Sequence, residues 1–240
     1  MNIKTFYKIY YLHRFKKGSI YSKIYILIFL PFFYFINKLL LQTIIDLDKF
    51  SLSNKELYEK DFKFLFQFFN SDKGKFYVNQ YQKPIKLEKK LSEGHDYHEY
   101  YERYFESKKK NDVNILEIGT FKGNATAAFF FYFKKAKIIS GDIFPDLFRY
   151  RSKRINNFYI DNSIESELEK KILKNDIKYD FIIEDAGHYY KDQIITLFSL
   201  FPSLKSNGVF VIEELDFPNT RKDMNPNQEK PTLRDILFFI

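Results

Sequence analysis

The sequence predicts an α/β fold with a doubly wound, mostly parallel sheet, and three observations predict it. Short apolar runs alternate with helical patterns from residue 112 to residue 216. The first run, Asn114–Ile118, opens onto a turn holding two glycines, Gly119 and Gly123. Each run also ends at an acid: Glu117, Asp142, Asp161, Asp185, and the pair Glu213-Glu214.

Taken in order, residues 1–50 form a basic and apolar helical segment, 51–111 a helical lid or substrate region, and 112–240 the sheet domain. Ile24–Ile36 carries no charge, and Leu39–Ile45 extends its apolar character past Lys38. Thirteen uncharged residues are short for a bilayer span, which needs roughly 20. Three readings of the segment compete: an interfacial helix on the cytoplasmic leaflet, a helix packed on the domain or on a partner, and a true span. No small-residue cleavage site follows, which argues against a removable signal peptide.

Leu57, Phe62, Leu65, Phe66 and Phe69 recur at helical spacing and read as core. Residues 75–92 are lysine-rich and irregular, with Pro84 against a long helix. His95–Phe105 reads as an amphipathic helix. Strands are expected at 114–118, 137–141, 157–160, 179–183 and 209–212, with helices at 125–133, 163–175 and 191–204 between them. The chain stops at Ile240, soon after the fifth strand, so the strands that would close such a sheet are expected to be missing.

Charge narrows the function classes. The net charge is +8, yet residues 1–45 hold seven Lys and Arg and no acid, leaving +1 for the other 195 residues. This distribution argues against a basic nucleic-acid groove on the domain. The absence of cysteine removes disulfides, thiolate metal sites and a Cys nucleophile. The excess of Phe and Tyr is given no chemistry.

The acids carry the functional reading. In a parallel sheet, ligands bind beyond the carboxyl ends of the strands. Asp142 lies 19 residues after Gly123, where a carboxylate would take two ribose hydroxyls. For Asp142 and Asp161 the competing role is a helix cap or a solvated loop start. Asp185, Glu213 and Glu214 sit at the ends of adjacent strands and would repel one another without a cation. Oxygen ligands suit a hard divalent ion, magnesium first. His188, three residues past Asp185, stands where it could take a proton from a substrate hydroxyl, or it merely caps the next helix.

Together these motifs resemble the class I S-adenosylmethionine-dependent methyltransferases, which have a Rossmann-like fold. Among them, the chain is similar to the metal-dependent macrolide-sugar O-methyltransferases of the mycinamicin and demethylmacrocin type. The resemblance covers roughly residues 71–216. It rests on Ser71-Asp72-Lys73-Gly74, His95-x-Tyr97, Tyr101-Glu102, Phe105, Leu116-Glu117-Ile118-Gly119, Gly141-Asp142-Ile143, Glu184-Asp185-x-x-His188 and Val211-Ile212-Glu213-Glu214. The chain departs from the family at Glu214, where Asp is usual, and at Ala186-Gly187. The resemblance implies a methyl donor, S-adenosylmethionine, held by Gly119, Asp142 and neighbours that include Glu117, Gly123 and Asp185, with Asp161 near the adenine. It also implies Mg2+ on Asp185, Glu213 and Glu214, His188 as general base, and a sugar or glycoconjugate hydroxyl as acceptor. A membrane-surface contact through residues 1–45, a homo-oligomer and a cytoplasmic location complete the expectation. Two other readings stand beside it: a truncated non-catalytic relative, and an NAD-dependent oxidoreductase using the same glycine turn.

Overall fold

The computed structural model describes residues 2–40, 44–78 and 91–239. At its centre lies a five-stranded sheet of β1 (Asn114–Ile118), β2 (Lys137–Asp142), β3 (Ile155–Tyr159), β4 (Tyr179–Glu184) and β5 (Leu204–Ile212). All pairings are parallel and the order is β3-β2-β1-β4-β5. Chain direction across the sheet therefore reverses between β1 and β4, which is where such folds bind ligands.

Helices cover both faces. α3 (Leu47–Ser53), α4 (Phe62–Phe68), α5 (His98–Phe105) and α6 (Asn124–Tyr132) enclose one core, and α7 (Glu165–Lys171) and α8 (Tyr190–Leu200) enclose the other. The phenylalanines have a structural task. Phe62 stacks on Tyr132 at 3.7 Å between ring centroids and Phe105 on Phe181 at 3.9 Å, within a cluster that also holds Phe66, Phe129 and Phe133. Residues 125–132 of α6 are all buried, because this helix is apolar all round and lies between the sheet and α4.

The expected elements are present with shifted ends. The helix read over 163–175 is α7 followed by a 3-10 turn at Leu173–Asn175, and that over 191–204 is α8 followed by another at Phe201–Ser203. β5 starts at Leu204, five residues before the expected strand. Leu204 pairs with Tyr179 and Val209 with Phe181, so residues 205–208 bulge within the strand. Asn207, at φ 61°, gives this stretch its turn-like sequence. Phe76–Val78 pairs antiparallel with Leu91–Glu93, and residues 79–90 of the irregular 75–92 stretch lie outside the described residues.

The N-terminal segment is a helical hairpin. α1 (Ile3–Ile9) continues into a π-helical turn at Tyr10–Arg14, and α2 (Ile20–Leu40) folds back on it through Phe6, Ile26 and Leu30. Among the described residues, no helix is long and apolar enough to cross a membrane. The hairpin is bound to the domain through α1 and the turn. The outer side of α2 leaves Tyr21, Tyr25, Ile28, Phe32 and Phe35 more than half exposed. Short helices α9 (Phe217–Thr220) and α10 (Leu233–Phe238) follow β5.

Candidate active site

The loop after β1 is shaped by close approach. Gly119 has φ 90°, and a Cβ there would stand 1.9 Å from the Asp185 carbonyl oxygen. Only glycine lets the β1 and β4 loops meet so closely. Gly123, at φ 81°, starts α6 in the left-handed region, and a Cβ would enter the Phe148 ring.

Around this loop the first three strands place their acids. Glu117 is buried, accepts from Thr126 Oγ1 at 2.5 Å, and is pushed by burial up to about 7. Asp142 accepts the backbone N–H of Phe121 at 2.6 Å and that of Phe144 at 2.7 Å, one on each oxygen. It thus holds the glycine turn to the end of β2. Asp161 accepts from Ser163 and has His13 Nε2 at 3.7 Å.

The ends of β4 and β5 are built differently. Lys73 is buried and extends its ammonium between Asp185 Oδ2, at 2.5 Å, and Glu213 Oε2, at 2.7 Å. The hydroxyl of Tyr101 donates to the other oxygen of Glu213. Glu214 receives the Tyr97 hydroxyl at 3.3 Å, and His95 Nδ1 lies 3.3 Å away. Burial pushes Asp185, Glu213 and Glu214 well above the usual carboxylate range. Burial would lower Lys73, but the carboxylates of Asp185 and Glu213 outweigh it and keep the amine charged.

One oxygen each from Asp185 and Glu214 and one ring nitrogen of His188 lie within 4.8 Å of one another. His188 Nε2 is 3.6 Å from Asp185 and 3.8 Å from Glu214. Burial, followed by the Lys73 charge, lowers the imidazole to about 4, so it is neutral at physiological pH. Its Nδ1 and Glu214 Oε2 are both buried without a hydrogen-bond partner among the described residues. His188 and Glu214 also sit at φ 54° and 48°, a left-handed conformation that non-glycine residues adopt at a cost and that concentrates at functional sites. Two carboxylates and a neutral imidazole form a donor set that fits a divalent cation. Of the three acids expected to share a cation, Glu213 lies outside this group, with Lys73 and Tyr101 on its oxygens.

A cavity of about 1140 Å³ joins both ends of the site. Gly119, Asp142, Asp161, Asp185, His188 and Glu214 all line it, and so do Lys73 and His95. Lys73, Tyr97, Tyr101 and His95 had only motif positions in the sequence reading, with no role. The signal available was a lysine in the polar turn Ser71–Gly74, whose partners lie 112 and 140 residues away.

The fold is that of the class I methyltransferases. The chain matches no family model and no curated protein, but it superposes on solved structures of that class. One is the MycE methyltransferase from the mycinamycin biosynthetic pathway in complex with Mg and SAH, with a TM-score of 0.59 and 20% identity over 75% of this chain and 44% of that one. A second MycE complex, with Mg, SAH and mycinamycin VI, gives a TM-score of 0.59 and 19% identity over 75% of this chain and 47% of that one. The chain spans less than half the length of these MycE structures, and the likeness is one of fold.

Proposed function

We propose that the chain is an S-adenosylmethionine-dependent O-methyltransferase, assisted by Mg2+, that acts on a hydroxyl of a sugar or glycoconjugate. The observation that carries this reading is the grouping of Asp185, His188 and Glu214 in one cavity with Gly119 and Asp142. The binding of Mg, SAH and mycinamycin VI in a MycE structure of the same fold supports it.

In this reading Glu117, Gly119, Gly123, Asp142 and Asp161 hold the donor, Asp185 and Glu214 are the carboxylates available to the cation, and His188 stands beside them with its imidazole left to act as the base. A divalent cation bound there would acidify the acceptor hydroxyl. The hydroxyl oxygen forms a bond to the methyl carbon as the carbon–sulfur bond breaks, and S-adenosylhomocysteine leaves as a neutral thioether. His188, neutral at physiological pH, is the proton acceptor of this chain. Lys73 and Tyr101 keep Glu213 in place beneath the site, and no covalent enzyme intermediate is needed, so positioning supplies much of the rate.

The proposed setting is the cytoplasmic face of a membrane. The exposed apolar side of α2 supports it, as do Lys4, Lys16, Lys17 and Lys23, which form no ion pair among the described residues. Vesicles containing anionic lipid should sediment with the protein, and equal recovery with and without them would remove the membrane contact.

Calorimetric titration of S-adenosylmethionine, with and without Mg2+, tests the enzyme reading. Micromolar binding is expected, followed by methylation of a sugar acceptor that Asp185→Ala abolishes without loss of donor binding. A folded protein that binds no donor, or that binds NAD instead, would overturn it.

A further inference from the structure

We infer that the N-terminal turn Tyr11–Lys16 is the wall of the donor cavity at its nucleoside end, so that donor affinity depends on how this turn is seated. The inference rests on the donor site proposed above and adds residues to it. Tyr11, Leu12, His13 and Lys16 line the same cavity as Asp142 and Asp161.

Three contacts hold the turn there. Lys8 pairs with Glu167 in the first turn of α7. His13 Nε2 lies 2.9 Å from the hydroxyl of Tyr159, the last residue of β3. Arg14 pairs with Asp146 at 2.9 Å, four residues past the end of β2. All three seats belong to the β2–β3 half of the sheet. The cation-ligand group belongs to the β4–β5 half, so the turn closes one end of the cavity and leaves the other end to the acceptor.

The chemistry at this end suits an adenosyl group. Phe144 meets His13 edge-on at 5.8 Å, the Arg14 guanidinium lies over the same Phe144 ring at 5.0 Å, and Phe144 lines the cavity together with the carboxylates of Asp142 and Asp161. The π-helical turn is what swings His13 and Arg14 to the domain while Tyr11 donates to the Lys23 carbonyl of α2 at 2.8 Å. Lys8–Glu167 is partly exposed and Arg14–Asp146 largely buried, so the turn is held by a few polar contacts, and a donor that touches the seated turn must hold it down further.

The test uses the full chain with S-adenosylhomocysteine as the probe. The double reversal Lys8→Glu with Arg14→Glu is expected to weaken binding about tenfold and leave Mg2+ affinity unchanged. Exchanging the charges, with Arg14→Asp and Asp146→Arg together, should restore most of what Arg14→Asp alone loses. On the unaltered protein, S-adenosylhomocysteine should slow amide exchange over residues 9–16. Binding by the unaltered chain with neither a change in the reversal variant nor slower exchange would overturn the inference. Failure of the unaltered, folded chain to bind S-adenosylhomocysteine would overturn the donor site itself.

Discussion

The two halves of the sheet rim carry similar acids in opposite states. On the β1–β3 side each carboxylate already has neutral donors: Thr126 for Glu117, two backbone amides for Asp142, and Ser163 for Asp161. On the β4–β5 side Asp185 and Glu213 share one buried ammonium, and an oxygen of Glu214 has no hydrogen-bond partner among the described residues. The first set shapes a loop. The second set is short of positive charge and reads as a place for a cation. A carboxylate's task thus follows from which of its oxygens are already engaged, more than from its position at a strand end.

The contrast can be broken at its strongest point first. His188→Asn retains a residue tolerant of the left-handed backbone and removes the base. Turnover with a methylated acceptor should fall by roughly 10²- to 10⁴-fold with donor affinity unchanged. An equal fall in donor affinity would assign His188 to the donor half instead.

Lys73→Met should destabilise the fold by about 3–5 kcal/mol in urea denaturation, since it leaves buried carboxylates without their cation. Adding Glu213→Gln should recover part of that loss. Saturating Mg2+ should narrow the gap as well, because a cation at Asp185 would offset part of the charge that Lys73 leaves behind. A loss below about 1 kcal/mol, in the range of an exposed pair, would mean that the cation is not needed there.

The smallest effect sharpens the other half. The Glu117 carboxyl is raised from 4.5 to about 7 by burial, so the folded state holds its proton more tightly than the unfolded chain. The stability cost of ionising it therefore grows as pH rises from about 4.5 to about 7 and is complete above that. Glu117→Gln removes it and should gain at most about 3 kcal/mol at pH 8 relative to the natural chain, and little at pH 5. The same difference at both pH values would show that Glu117 is charged throughout.

Much of the sheet was legible because its signals are local. Asn114–Ile118 is an apolar run with a glycine turn behind it, Asp142 ends its strand, and Asp185 directly follows its own. The start of β5 was not legible, because Lys205–Gly208 carries turn residues inside a bulge. The site was half legible. A sequence shows that acids sit at adjacent strand ends, but it does not show that Lys73 arrives from the other side of the fold to claim Glu213. Nor does it show that His13 closes the cavity, since His13 and Tyr159 are 146 residues apart.

That separation has a consequence during synthesis. The partners of Lys8, His13 and Arg14 follow them by 159, 146 and 132 residues. At a ribosomal pace of about 5–20 residues per second, the hairpin is outside and without its seat for roughly 7–30 s. Over that interval the apolar side of α2 stands exposed without the sheet domain beside it. A lipid surface or a chaperone can hold the hairpin before the sheet exists to receive it, so where the chain is made can decide where it stays.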